Sequence, residues 1–284
     1  MIHNTKYNLV IGWLYPELMS TYGDRGNIIV LQKRCEWRGI KVEIKLLDLE
    51  FKINELKMCD LIFMGGAQDQ QQKIVAYDLL KKREALKEMI EDGIPGLYIC
   101  GAYQFLGKYY READGKIIKG LNILDLYTEN PGPDEPRLIG NIAISPCHPE
   151  LVSGSHTKGD SDLRQNDNEQ ALVGFENHGG RTYLGKSVKP LGKVIKGYGN
   201  NGDLPAIPDG KSWQAGDETE GAVYKNSFGT YLHGPILPKN PQFTDLLIKI
   251  ALEKKYNKNI VPNPLDDSLE KCAKKSILQK MKIK

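Results

Sequence analysis

The first 125 residues alternate between short apolar runs and longer stretches of helical periodicity, a pattern that admits few folds other than a parallel sheet covered by helices. The runs Asn8–Gly12, Lys41–Leu47, Leu61–Met64 and Gly96–Ile99 are predicted strands. One helix is predicted from about Asp24, read as its cap, with Ile28, Ile29, Leu31 and Cys35 as an apolar stripe and Gly39 as its stop. A second is predicted over Gln72–Glu91, stopping at Gly93 with Pro95 after it. Beyond residue 125 the predicted strands Leu138–Ile144, Ala171–Phe175, Lys193–Gly197, Gly221–Tyr224 and Gly229–Leu232 have shorter connections and read as antiparallel or mixed. The fold class is α/β.

Residues 1–265 read as one domain, with polar excursions rich in Ser, Asp, Asn and Gly near 145–170 and 200–220. A basic helical tail over 266–284 carries Leu269, Cys272, Ala273, Ile277 and Met281 among lysines, as an amphipathic helix packed on its own domain would. The net charge of +3 is spread along 284 residues, which excludes a nucleic-acid or anionic-membrane footprint. No apolar run reaches the roughly 20 residues of a membrane helix, and the expected location is cytoplasmic. Five cysteines at irregular spacing fit neither a disulfide framework nor paired zinc ligands, so no metal site is expected. Cys35 and Cys59 lie in apolar surroundings, as core fillers do.

Cys100 differs. In Gly96-Leu97-Tyr98-Ile99-Cys100-Gly101-Ala102-Tyr103-Gln104 it stands where an apolar strand breaks into a glycine-containing turn before an amphipathic stretch. Such a turn holds a nucleophile at the carboxyl end of a sheet, and the amides that follow favour a thiolate. The preceding strand ends in Gly65-Gly66, where backbone amides can approach a ligand. The amides of Gly65, Gly66 and Gly101 are therefore the expected oxyanion donors.

A thiol nucleophile needs a base, and the chain has five histidines. His3 is terminal and His156 lies in a polar excursion. His148 precedes Pro149-Glu150 and resembles a base with its own acid, but it opens the most loop-like segment. His178 follows a predicted strand. His233 ends the strand Gly229-Thr230-Tyr231-Leu232 and precedes Gly234-Pro235, where a side chain overhangs the sheet edge. The residues favour His233 first, then His178 and His148, and do not decide among them.

Four ordered blocks carry a resemblance. Gly65-Gly66, Cys100-Gly101-x-x-Gln104, Gly174-Phe175-Glu176-x-His178-x-Gly180-Arg181-Thr182 and Thr230-Tyr231-x-His233-Gly234 are similar to class I glutamine amidotransferases of the cobyric-acid-synthase branch, from about Tyr7 to Asn240. The resemblance implies a three-layer αβα, flavodoxin-like doubly wound and mostly parallel sheet with additional antiparallel strands. It implies hydrolysis of L-glutamine with Cys100 as nucleophile and His233 as base, Arg137 on the substrate α-carboxylate, and Gln104 holding substrate or the turn. Two departures stand out. Pro235 replaces the glutamate many relatives carry two residues after the histidine, so a Cys-His dyad is expected, with any third member supplied from elsewhere, such as a partner chain. Tyr98 and Ala102 replace glycines flanking the cysteine.

Free ammonia is mostly protonated at neutral pH, so such a site needs a neighbouring acceptor. No Gly-x-x-x-x-Gly-Lys-Ser/Thr is present, and no cofactor is expected on this chain. ATP and magnesium are expected on a partner. Within the branch, Tyr15-Pro16-Glu17-Leu18-Met19-x-x-Tyr22-Gly23-Asp24-x-Gly26-Asn27 and Phe175–Thr182 resemble glutaminase subunits that serve a Mur-ligase-like chain. The implied acceptor is the α-carboxyl of D-glutamate in lipid II, in peptidoglycan synthesis. The rival readings are a glutaminase for a corrinoid-type carboxylate and a catalytically silent binding module.

Overall fold

In a computed structural model, which describes residues 6–152, 170–201 and 218–283, β1 (Asn8–Leu14) leads into α1 (Arg25–Glu36) and β2 (Lys41–Leu47) into α2 (Ile53–Lys57). β3 (Leu61–Met64) is followed by α3 (Asp69–Lys81) and α4 (Arg83–Glu91), and β4 (Gly96–Ile99) by α5 (Gly101–Leu106). A strand-rich stretch comes next: β5 (Tyr109–Arg111), β6 (Ile117–Lys119), β7 (Leu126–Glu129), β8 (Leu138–Pro146), the short α6 (Pro149–Val152), β9 (Leu172–His178), β10 (Arg181–Leu184), β11 (Gly192–Lys196), β12 (Thr219–Glu220), β13 (Ala222–Tyr224) and β14 (Ser227–Thr230). The helices α7 (Pro241–Tyr256) and α8 (Ser268–Lys280) close the described chain.

The main sheet has the order β13-β14-β4-β3-β1-β2, parallel except for β13. Taken along its parallel strands it is the doubly wound flavodoxin-like order, which places ligands outside the carboxyl ends of the strands. Burial follows position. Leu61–Met64 and Gly96–Ile99 are buried at every residue, as central strands covered on both faces must be, whereas β2 at the edge is largely exposed. The later strands form two further four-stranded sheets, β10-β7-β5-β6 and β12-β11-β8-β9. The additional strands are thus mostly separate sheets rather than extensions of the first.

Several sequence expectations shift. The helix predicted over Gln72–Glu91 is two helices, because the chain turns at Lys82 to bury that side chain against Asp78 and over the Phe51 ring at 4.3 Å. The strand predicted over Gly229–Leu232 spans Ser227–Thr230 and runs parallel to β4. β5, β6, β7, β10 and α7 carry no sequence expectation at all. Cys35 and Cys59 are core residues as expected, and burial pushes both thiols up to about 12. The polar excursions fall largely on residues 153–169 and 202–217, outside the described residues, as do His3 and His156. No described helix is long and apolar enough to cross a membrane.

The tail packs on its own domain. Leu278 of α8 and Met281 just after it bury against Ala143 and Val173 of β8 and β9. At the start of that helix Arg34 of α1 grips Asp245 of α7 through two nitrogens, at 2.7 and 2.8 Å, and Asp267 through a third at 2.7 Å. Arg34 is 2% exposed, so removing it takes from Asp267 this partner and leaves Asp245 to Arg38 alone, beside an emptied pocket. Arg34→Met should lower the unfolding free energy by about 3 kcal/mol in urea titration, and should hasten proteolytic loss of α8; an unchanged midpoint would show the network to be idle.

Candidate active site

Four adjacent strands, β14, β4, β3 and β1, end together on one side of the main sheet, and each contributes a group to a single cleft. Cys100 follows β4 directly. Its backbone lies at φ 51, ψ −106, a conformation L-residues seldom adopt, and its amide donates to Thr230 O at 2.8 Å. Strain of this kind persists only where surrounding contacts fix it. Here the clamp is β14 on one side and the first turn of α5 on the other, where Gln104 N reaches Cys100 O at 2.9 Å. Tyr98 curls its ring back over Gly96, so the strand accommodates it without crowding the turn.

His233 follows β14. Its amide donates to Phe175 O at 2.7 Å and its carbonyl accepts from Phe175 N at 3.2 Å, so the backbone is pinned to β9. Beneath it the buried Glu220 accepts from Tyr231 N at 2.6 Å and from the Thr230 hydroxyl. The imidazole is fully buried, with Nδ1 3.4 Å from Asp24 Oδ1. Cys100 is the other polar neighbour of the ring.

Asp24 stands at the N-cap position of α1 as expected, but its side chain makes no capping bond and turns to the cleft instead. It is fully buried, and its second oxygen accepts from Gly66 N at 2.7 Å. A carboxylate distant in sequence thus stands beside the histidine, where the sequence showed only a Cys-His pair with any third member to come from elsewhere. Pro235 rests on Gly26 so closely that a Cβ there would stand 2.4 Å from its Cγ, so the start of α1, which follows Asp24, packs directly on the segment after the histidine. One correction concerns Gly66. Its amide is committed to Asp24, so of the three expected oxyanion donors only Gly65 and Gly101 remain candidates. Gly66 instead supplies room: a Cβ on it would stand 2.8 Å from His233 Cε1 and 3.2 Å from Cys100 Cβ.

The cleft has a volume of about 240 Å³, suited to one small polar molecule. Arg137 stands at its mouth, its guanidinium held by Nε to Asn177 Oδ1 at 2.9 Å and Nη2 to Asn177 O at 3.0 Å. It is the only Lys, Arg, Asp or Glu among the lining residues. Gln104 lines the floor and donates to the Tyr231 hydroxyl at 3.2 Å. His178 also lines the cleft but serves as a wall: its ring stacks on Tyr231 at 3.7 Å, Nδ1 donates to Gly180 O at 2.8 Å, and burial pushes its basicity down. His148 packs against Phe228 outside the cleft. Sequence reasoning quoted the blocks containing Asp24, Tyr22 and Asn177 without assigning them this place.

Burial alone would depress the His233 imidazolium, but the neighbouring Cys100 charge and then Asp24 outweigh it and push the group up to about 10. Because the folded value lies above the unfolded one, the resulting stability is complete below about pH 6.5 and is lost as pH rises through about 10. The Cε1 proton resonance of His233 should titrate near the upper value, and Asp24→Asn, which removes a raising charge, should move the transition to lower pH. An unmoved transition would separate Asp24 from the histidine.

Residues 10–241 match the CobB/CobQ-like glutamine amidotransferase domain. The chain is 39% identical over 279 residues to the lipid II isoglutaminyl synthase (glutamine-hydrolyzing) subunit GatD of Staphylococcus aureus, covering 96% of each chain. It is also 39% identical to the subunit of that name from Streptococcus pneumoniae, over 94% of this chain and 89% of the relative. A cobyric acid synthase of Clostridium botulinum is 28% identical across 77% of this chain but only 39% of its own length.

Proposed function

The chain belongs to the CobB/CobQ-like glutamine amidotransferase family, enzymes that use glutamine as amido donor, and on that premise we propose that it is the glutaminase subunit of a two-chain ligase. The observation that carries the reading is the convergence of Cys100, His233 and Asp24 at the base of a cleft whose mouth holds Arg137.

In this mechanism Arg137 takes the α-carboxylate of L-glutamine in the planar, bidentate manner open to a guanidinium. The side-chain amide then reaches Cys100. The thiolate adds to the δ-carbonyl, and the oxyanion rests on the amides of Gly101 and Gly65. His233, protonated and oriented by Asp24, gives its proton to the nitrogen as the carbon–nitrogen bond breaks and ammonia leaves. The neutral imidazole next takes a proton from water, which attacks the thioester, releases glutamate and restores the thiolate. Asp24 keeps the ring in one orientation. Gln104 holds the turn and faces the substrate amide.

The released ammonia goes to a partner. Two relatives of nearly equal length are named subunits of lipid II isoglutaminyl synthase, which supports a cytoplasmic pairing with a Mur-ligase-like chain that binds ATP and magnesium. The acceptor is then the α-carboxyl of D-glutamate in lipid II, activated on the partner and amidated by the ammonia.

The test is release of glutamate and ammonia from L-glutamine by the chain, alone and with its ligase. Cys100→Ala and His233→Ala should each lower release by at least about 1,000-fold. Gly66→Ala, which drives a methyl between the two groups, should cost about 100-fold with little change in melting temperature. Undiminished release by the Cys100 variant would end the glutaminase reading. Amidation of lipid II by the pair, absent with a corrinoid acid as acceptor, would fix the acceptor.

A further inference from the structure

Tyr22 is a bulky residue held at φ 56 in the loop between β1 and α1, and its side chain is 44% exposed, so neither backbone preference nor burial explains its conformation. Its contacts do. The loop is tied to the end of β3 by Thr21 N donating to Gly66 O at 3.1 Å. The Tyr22 ring then stands edge-on to the His233 imidazole with centroids 5.1 Å apart, and its hydroxyl accepts from Asn177 Nδ2 at 2.8 Å. Asn177 is the residue whose side-chain and backbone oxygens hold Arg137. One side chain thus touches both ends of the cleft: the imidazole at its base and, through one amide, the arginine at its mouth.

We propose that Tyr22 is a positioning residue that couples the carboxylate-binding arginine to the histidine, so that the cleft accepts glutamine with both ends already aligned. The inference rests on the glutaminase reading and adds a determinant of substrate selectivity to it. The amide of Asn177 can rotate by half a turn about its last bond. With its nitrogen on the Tyr22 hydroxyl, its oxygen is fixed toward Arg137 Nε; without that acceptor the amide loses its preferred orientation and the arginine loses one of its two anchors. The hydroxyl acts on substrate capture, and the ring acts on the environment of the imidazole.

Labelling of Cys100 separates these roles without needing turnover. The probes are a γ-electrophilic ketone analogue of glutamine, which carries the α-carboxylate, and iodoacetamide, which does not. Tyr22→Phe keeps the ring and removes the acceptor. It should raise the half-saturating concentration of the analogue by about 3–10-fold, the loss of one hydrogen bond, while leaving its maximal labelling rate, the iodoacetamide rate and the melting temperature unchanged. Asn177→Ala should have the same effect, and the double variant should be no worse than either single one. Tyr22→Ala should in addition shift the pH dependence of labelling by both probes. A Tyr22→Phe chain with wild-type half-saturation, equal slowing toward both probes, or additive single effects would overturn the coupling. If the wild-type chain shows no saturable preference for the glutamine analogue, the glutaminase reading itself fails, and the coupling with it.

Discussion

A buried carboxylate without partners is among the costliest groups a fold can hold, and Asp24 sits at the point where three strand ends of the main sheet converge. One oxygen takes the Gly66 amide after β3; the other faces the His233 ring after β14; its own backbone belongs to the loop after β1. Meeting that demand shapes the surroundings. Gly66 has no side chain because one would strike both reacting groups, Gly26 has none because Pro235 lies on it, and the loop accepts left-handed backbone at Tyr15 and Tyr22. The carboxylate is at once the charge that favours an imidazolium and the pin that fixes the three loops.

Behind the reacting groups lies a wall of buried polar residues. Glu220 holds the end of β14, Tyr231 joins Gln104 to Thr182 through its hydroxyl, and His178 stacks on the same ring. Low dielectric strengthens hydrogen bonds of this kind and penalises their loss, so the wall gives the histidine a fixed platform rather than a soft apolar one. The price is order in the second half of the chain, where the strands are short and assembled into sheets of their own.

The parallel strands and the strand-end place of Cys100 were legible because both rest on local patterns: central strands buried on both faces must read as unbroken apolar runs, and a strand-end cysteine beside glycine has a recognisable context. β5, β6, β7 and β10 were not, since strands of three or four residues carry too few alternations to register. α7 escaped despite sixteen residues, because it is apolar on most sides and its periodicity is weak. The break at Lys82 depends on a pairing with Asp78 that a helical pattern conceals. Asp24 read as a cap because an aspartate before a helix usually is one, and only tertiary contact with a histidine 209 residues away gives it another task. The commitment of the Gly66 amide follows from the same contact.

That separation of 209 residues also orders events during synthesis. A chain emerging from the ribosome presents Asp24 first and Cys100 next, but His233, the base of the proposed mechanism, follows β14, a strand that pairs with β4 only after the intervening strands exist. Nascent and truncated chains therefore carry an unarmed thiol. Chemical competence arrives in one late step, when the segment bearing His233 closes over a pocket whose other walls are already built.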